Sequence, residues 1–215
     1  MNRSASLIFL LLMFTSCADF PLYNFGYKSI KEGYLRLDNE VIDETFMQNS
    51  EYAFIKVRFG SARSAILTLV KEENDILEWI SADGIKIYTF QSKIIKTQGL
   101  PNDIELFHFP HIPDIYKSMN TYSYIQNFYE PVLLEQLAEI TYKEKGIKLI
   151  SNPVKGRKDI ETKILEERVY FAQINWSFKN LYYLNEDNRV EKSRQQIHPF
   201  MKPITIEFIK KYRKQ

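Results

Sequence analysis

The chain has 215 residues, of which 45% are hydrophobic and 14% aromatic, and it contains one cysteine. This composition can build a folded core and excludes a disordered chain, and a single cysteine excludes an internal disulfide. The 29 basic and 27 acidic side chains leave a formal charge of +2, which excludes the strongly basic balance typical of a nucleic-acid-binding protein. The length suits one large domain or two small ones.

The N-terminus has the pattern of a bacterial lipoprotein signal. Arg3 supplies a positive charge, and residues 5–14 form an apolar run. That run is too short to cross a bilayer core of about 30 Å as a helix, but it suits a signal peptide. The small residues Thr15 and Ser16 then precede Cys17, as in the bacterial lipobox.

This pattern predicts three segments. We expect residues 1–16 to be a lipoprotein signal peptide, residues 17–34 a lipidated tether, and residues 35–215 a β-rich periplasmic domain. Lipoprotein maturation would give Cys17 three acyl chains, and two such anchoring signals are enough to hold a protein stably on a membrane. Ala18, rather than an acidic residue, follows the cysteine, which favours the periplasmic face of the outer membrane. The alternative is an ordinary signal peptide that ends beside a lone thiol.

Strand signals dominate the region after the tether. Residues 36–47 have weak helical spacing and predict a short N-terminal helix. Alternating apolar residues predict strands at residues 52–59 and 65–70. No further apolar run is long enough for a membrane-spanning helix.

The centre of the chain predicts a three-stranded meander. Residues 76–80 and 85–90 are rich in β-branched and aromatic side chains, and Asp83-Gly84 between them suits the positive φ angles of a tight hairpin turn. A second turn at Gln91-Ser92 leads into a strand over residues 93–97. A meander of this size can seed a core.

The C-terminal half continues the strand pattern. Further strands are predicted at residues 121–129, 147–150, 160–178, 181–184, 189–195 and 204–209. Residues 130–145 suit either a helix by their apolar spacing or a strand, which Pro131 favours, and Gly146 is expected to end that segment. The run Glu166-Glu167-Arg168 predicts a charge that faces inward from a strand. The fold expected is mainly β, with antiparallel sheets forming a sandwich or a partly open barrel and a short N-terminal helix.

No catalytic motif is recognisable. A nucleophile elbow, a glycine-rich phosphate loop and a His-Glu-x-x-His motif are all absent from the sequence. Carboxylates that pair only in space leave no sequence spacing, so four candidates stay open: Asp83, Asp103, Glu166 and Glu167. His108 and His111 lie near Asp114 beside prolines, where loop histidines are a simpler interpretation than a metal site. We expect no enzymatic activity, cofactor or metal.

Two stretches of the sequence resemble the pattern of a known protein family. The first contains Trp79-x-Ser81-Ala82-Asp83-Gly84 and Lys93-Ile94-Ile95-Lys96-Thr97-x-Gly99-Leu100. The second runs from Asn180-Leu-Tyr-Tyr183 through Val190-x-Lys-Ser193-x-Gln195 to Pro199. Both resemble the pattern of the YjbF/GfcB-type lipoproteins of capsule and exopolysaccharide loci. The family usually has Gly-Arg where this chain has Ser92-Lys93, so the basic charge is kept and the turn glycine is lost.

The resemblance implies an accessory role in polysaccharide export or assembly, with an outer-membrane barrel-type protein and periplasmic proteins of the same locus as partners. Direct binding of the polysaccharide is the alternative, because aromatic rings stack on sugars and basic side chains pair with acidic sugars. The candidate contact residues for either role are Trp79, Trp176, Tyr182, Tyr183, Lys93, Lys96 and Arg189. Burial of both tryptophans would weaken direct binding, whereas a shared exposed groove would support it.

Overall fold

Twelve strands and one short α-helix make up the part of the chain that the structure describes. The computed structural model describes residues 42–107 and 121–210. In chain order the elements are α1 (Glu44–Asn49), β1 (Phe54–Phe59), β2 (Ser64–Glu73), β3 (Ile76–Ser81), β4 (Lys86–Phe90), β5 (Lys93–Gln98), β6 (Ile104–Phe107), β7 (Tyr122–Phe128), β8 (Leu133–Ile150), β9 (Ile160–Phe171), β10 (Trp176–Leu184), β11 (Val190–Gln195) and β12 (Ile204–Lys210). A 3-10 turn, Ala172–Ile174, connects β9 to β10. The mainly β prediction is confirmed.

The strands form one closed antiparallel barrel. Each strand pairs with the next along the chain, and β12 returns to pair with β1. In that closing ladder Val57 lies opposite Ile206. Of the two predicted arrangements, the partly open barrel is close to the observed fold, which differs in being closed, and the sandwich is not what forms. Closure depends on pairing between the first and last strands, which no local sequence pattern predicts.

The helix is shorter than the pattern suggested. It begins at Glu44, directly after Asp43, whose side chain accepts a hydrogen bond from the Phe46 backbone N–H at 2.7 Å. Such a cap satisfies one of the free donors at a helix N-terminus. Residues 36–41 of the predicted helix lie outside the described residues.

The central meander forms as predicted. Gly84 has φ +85° in the β3–β4 turn, and its N–H donates to the Ser81 carbonyl at 3.1 Å. In the β4–β5 turn, Gln91 and Ser92 have φ angles of 47° and 68°. This turn therefore keeps its left-handed backbone without the glycine that the family usually has there.

The ambiguous segment is a strand. In β8, Ile140 lies opposite Tyr122 on one side and Val169 on the other. Gly146 does not end the strand, because the ladder with β9 continues to Ile150. The glycine lies instead at a register shift, with φ +115°. The predicted break is thus a bulge, which a glycine accommodates at little steric cost.

Alternation along the strands directs one set of side chains into the barrel. In β1, Ile55 and Val57 are fully buried, whereas Arg58 between Val57 and Phe59 is exposed. Main-core residues from all twelve strands fill the interior with apolar side chains. A second, smaller cluster packs α1 against the outer side of the barrel: Ile42, Met47, Phe54, Val154 and Ile209.

The up-and-down course of the strands gives the barrel two ends. At the entry end, α1 leads into β1, and Ile42 forms a bridge with Val154 in the β8–β9 loop. At the far end lie the β7–β8 turn and the β11–β12 loop. The first described residue therefore lies at the entry end, opposite to those two connections.

Candidate functional site

A buried carboxylate lies inside the barrel. Glu167 on β9 faces inward, and its side chain has no exposed surface. Tyr142 on β8 and Asn180 on β10 are its neighbours across the two adjacent ladders. The tyrosine hydroxyl donates to Oε1 at 2.8 Å, and the asparagine amide donates to Oε2 at 2.6 Å. The prediction of an inward charge within Glu166-Glu167-Arg168 is confirmed.

Lys93 supplies the opposite charge from the start of β5. Its ammonium forms an ion pair with Glu167 and lies 4.4 Å from the ring centre of Tyr124. Gln195 holds this strand in place, because its side chain accepts from the Ile94 N–H and donates to the Ser92 carbonyl, both at 2.9 Å. The β4–β5 turn is thereby bonded to the opposite wall of the barrel.

The electrostatics of this cluster favour the charged pair. Burial raises the pKa of the Glu167 carboxyl, but the Lys93 charge and the hydrogen bonds from Lys93, Asn180 and Tyr142 outweigh it and hold the pKa below its usual 4.5. Burial, together with the Glu167 charge, raises the pKa of the Tyr124 hydroxyl well above its usual value. The cluster is enclosed and its members are paired, so it stabilises the barrel and offers no accessible reactive group.

The predicted contact residues do not share one surface. Trp79 is 1% exposed, and its indole N–H donates to Thr89 inside the barrel at 2.8 Å. Tyr182 is 4% exposed and donates to Glu167 at 3.2 Å. Trp176 is half-buried at the far end of the interior, with its ring 4.3 Å from that of Phe178. Among the predicted contact residues that lie inside the barrel, only Lys93 and Tyr182 share a partner, because both contact Glu167.

The remaining predicted contact residues lie on the outside. Lys96 pairs with Glu105 at 2.6 Å, and Tyr183 is half-buried on β10. Arg189 is exposed in the β10–β11 turn, where its backbone N–H donates to Asn185 at 2.9 Å. These three residues belong to different elements and do not form a common groove with the tryptophans.

The four candidate carboxylates each have a structural partner. Glu166 and Glu167 are adjacent on a strand, so their side chains point to opposite faces and cannot work as a pair. Asp83 bonds to the Ser81 hydroxyl within its turn. Asp103 accepts from Thr97 Oγ1 at 2.7 Å and from two backbone N–H groups in the β5–β6 turn. Turn formation and ion pairing account for these residues.

His198 is enclosed at the far end. Its Nδ1 accepts from the Phe200 N–H at 3.1 Å, its ring lies 5.3 Å from that of Phe128, and burial lowers its pKa. No three metal-binding side chains gather anywhere in residues 42–107 and 121–210. The positions of Cys17, His108, His111 and Asp114, and the predicted segments 1–16 and 17–34, fall outside those ranges.

The outer side of the barrel carries an open groove of about 800 Å³ that sequence reasoning missed. It crosses the outer faces of β8 to β11. Its lining includes Glu139, Arg168, Tyr170, Lys179 and Arg194, with further contributions from Thr121, Thr141, Val169, Ser177, Phe178, Gln196 and Pro203. We call this surface the outer groove. Its only signal in the sequence is that Arg168 on β9 and Lys179 on β10 each alternate with inward side chains.

The far end exposes apolar side chains. Val132 and Leu134 near the β7–β8 turn are 64% and 53% exposed, and Phe200 in the β11–β12 loop is 71% exposed. These three residues, called the apolar end below, have no role in the core. Exposed large apolar side chains on one end of a protein are typical of an interaction surface.

Comparisons with known proteins agree with this architecture. A crystal structure of the hypothetical lipoprotein YmcC from Escherichia coli (K12) matches with a TM-score of 0.71 and 17% identity, over 88% of this chain and 95% of that chain. No protein of curated description matches the sequence. Among the described residues, no helix has the length and apolarity needed to cross a membrane. The family model described as group 4 capsule polysaccharide lipoprotein GfcB, YjbF matches residues 27–209, and the chain belongs to that family.

Proposed function

We propose that the protein is a lipid-anchored, non-enzymatic accessory subunit of a capsule or exopolysaccharide export or assembly system. The family description as a capsule polysaccharide lipoprotein supports this role. In this proposal, residues 1–16 are removed, Cys17 carries the lipid, and residues 17–34 tether the barrel to the membrane. Small residues directly before Cys17 support the lipid attachment.

The proposed location is the periplasmic face of the outer membrane. Ala18 follows the cysteine where an acidic residue would favour retention in the inner membrane. A tether of residues 17–34 leads toward Ile42, which lies at the entry end of the barrel. The far end is then free to meet other proteins of the periplasm and outer membrane.

The apolar end is the observation that carries the subunit role. Phe200, Val132 and Leu134 are each more than half exposed and lie opposite to the entry of the chain. Full burial of a fully exposed side chain of this kind is worth roughly 1.5–3 kcal/mol before the costs of association are subtracted, so these partly exposed side chains can contribute less than that each. The partners proposed are an outer-membrane barrel protein and periplasmic proteins of the same export locus.

Crosslinking of the anchored protein tests this role. Membranes carrying the full-length protein are treated with a short crosslinker, and captured proteins are identified by mass spectrometry. We expect recovery of an outer-membrane barrel or periplasmic export protein from the wild type, and its loss from Phe200→Ser. Ile147→Ser is the matched control, because Ile147 is also 71% exposed but lies on β8 toward the entry end. Equal recovery from both variants, or recovery of polysaccharide without any export protein, would contradict the proposal.

Direct polysaccharide binding is a second candidate function. The residues first suggested for it are divided between the interior and separate outer positions, and Trp79 is buried. The outer groove is the observation that favours direct binding, through a different set of side chains.

A further inference from the structure

We propose that the outer groove binds a strand of acidic polysaccharide through the carboxylate groups of its sugars. This inference rests on the proposed role in capsule polysaccharide handling, and it names the substrate class and the residues that contact it. The groove is on the side wall of the barrel and reaches the β11–β12 loop at Gln196 and Pro203, so a ligand there would leave the entry end free.

Strand alternation explains why the groove is lined by polar side chains. Arg168 and Tyr170 alternate with buried Val169 and Phe171 on β9, and Lys179 points outward from β10 beside inward Asn180. Because neighbouring strands lie about 4.8 Å apart, a groove from β8 to β11 is roughly 15 Å wide. That width matches a short run of linked sugars better than a single small molecule.

The groove concentrates positive charge. Its lining contains three basic side chains, Arg168, Lys179 and Arg194, and one carboxylate, Glu139. Lys145 and Glu166 lie beside it as an ion pair at 3.7 Å and add no net charge. The lining therefore carries an excess of two positive charges, as large as the formal charge of +2 on the whole chain. A concentrated positive surface attracts and orients an anionic polymer.

Glu166 orients the neighbouring basic side chains and still leaves part of each one exposed to solvent. Its buried carboxylate lies 2.7 Å from Arg168 Nε, 3.7 Å from Lys145 Nζ and 3.9 Å from Lys179 Nζ. The side chains of Arg168 and Lys179 remain 51% and 57% exposed, so donors on both still face solvent. Arg194 is exposed and forms no ion pair within the described ranges, so it can offer guanidinium donors to a ligand.

The chemistry of these groups selects a carboxylated sugar. A guanidinium presents parallel N–H donors that fit a carboxylate in a bidentate geometry, and such charge-assisted bonds are stronger than neutral ones. Tyr170 is 42% exposed and offers an aromatic face to the apolar side of a sugar ring. Thr141 and Ser177 add hydroxyl groups for the sugar hydroxyls. A neutral glycan would use only the tyrosine and hydroxyls and would bind more weakly.

Calorimetric titration of the full-length lipidated protein in detergent tests the proposal. The probe is hexameric oligogalacturonate, and maltohexaose is its neutral counterpart. We expect the oligogalacturonate to bind, to bind more weakly as salt is raised, and to lose about tenfold in affinity in Arg194→Gln and again in Lys179→Gln. Arg58→Gln is the control, since Arg58 is an exposed arginine on β1 outside the groove, and it should leave binding unchanged.

The outcomes that overturn the proposal are equally definite. They are no binding of oligogalacturonate, equal binding of maltohexaose, or unchanged affinity in both groove variants with melting temperatures equal to that of the wild type. Because these variants leave the apolar end intact, crosslinking of a partner protein is expected to persist in them. Failure of glycan binding with partner capture retained would therefore refute the groove proposal alone. Loss of partner capture with glycan binding retained would refute the subunit role alone.

Discussion

Glu167 occupies a position where a carboxylate is costly, with no exposed surface inside a closed barrel. Removing a charge from water costs several kcal/mol, and that cost is offset only when the charge is paired and its remaining lone pairs accept hydrogen bonds. Lys93 provides the charge, and Tyr142, Asn180 and Tyr182 provide the hydrogen bonds. These contacts connect strands β5, β8, β9 and β10 through one side chain, so the cluster fixes how opposite walls of the barrel meet.

Replacing Glu167 by glutamine should destabilise the barrel strongly. The variant leaves the Lys93 ammonium buried without a counter-charge, and breaking a buried pair in this way costs about 3–5 kcal/mol. The free energy of unfolding in urea measures the loss. The double variant Lys93→Met with Glu167→Leu is the control, because removing both charges together should recover much of the stability. A single variant as stable as the wild type would contradict the inference that this pair supports the interior.

The same carboxyl makes stability depend on pH. Its pKa in the folded protein is held below 4.5 by Lys93 and the hydrogen bonds, despite the opposing effect of burial. A depressed carboxyl pKa contributes stability that is complete above the unfolded pKa and is lost as pH falls through the folded pKa. We expect the melting temperature of the wild type to fall as pH is lowered below 4.5, and the fall to be smaller in Glu167→Gln. Parallel curves for the two proteins would show that other carboxyls control acid unfolding.

Of the buried pair, the sequence predicts the inward charge on β9 but not its partner Lys93. Alternation on the strand indicates that one charge of Glu166-Glu167-Arg168 faces inward. The partner Lys93 is 74 residues away in sequence, and its own strand gives no sign that its side chain enters the interior. Contacts of that kind depend on which strands the closed barrel brings face to face.

At the scale of elements, the hairpins determine the register of the barrel. The β3–β4 turn is the clearest case, because Gly84 adopts φ +85° and the Ser81 side chain accepts from the Ile85 N–H at 3.0 Å within the same turn. A one-residue slip at such a turn would move every inward side chain of the following strand to the outside. The turn therefore protects the burial of Ile87 and Thr89, which share the inward face of β4.

Replacing Gly84 by valine should destabilise this hairpin. A Cβ at this position would meet no atom within 4 Å, so the cost comes from the positive φ and not from a clash. A side chain forced into the left-handed region costs roughly 1–2 kcal/mol, and β-branching adds to it. Thermal unfolding measures the change, with Gly84→Asn as a control that tolerates positive φ better. If valine and asparagine left the melting temperature equally unchanged, the turn would not limit stability.

Local patterns predicted most strands because alternation is a property of each strand alone. They failed at β8, where Gly146 was expected to end the segment but lies at a bulge within the strand. Exposed apolar residues such as Ile147 and Leu149 also weaken the alternation there. The outer groove was missed for a related reason. Its cations lie on separate strands, and only the ladder register places Arg168 and Lys179 directly opposite each other.

At the scale of the molecule, the closed barrel separates three surfaces. The entry end receives the chain at Ile42, the side wall carries the outer groove, and the far end exposes Phe200. The sequence left a sandwich and a partly open barrel as alternatives because a run of hairpins is compatible with either architecture. Only the pairing of β1 with β12 distinguishes them, and that contact joins the two ends of the domain.

Replacing Cys17 by serine should detach the protein from the membrane without unfolding it. The proposed anchor is a lipid on the cysteine sulfur, whereas the closed barrel and the core that the structure describes are built from residues 42–107 and 121–210. Membrane fractionation should find the variant released, and circular dichroism should give an unchanged melting temperature. Ser16→Ala is the control, since it keeps a small residue before the intact cysteine and should stay anchored. A Cys17→Ser protein that remained with outer membranes after a high-salt wash would show that the barrel itself, rather than a lipid, holds the protein there.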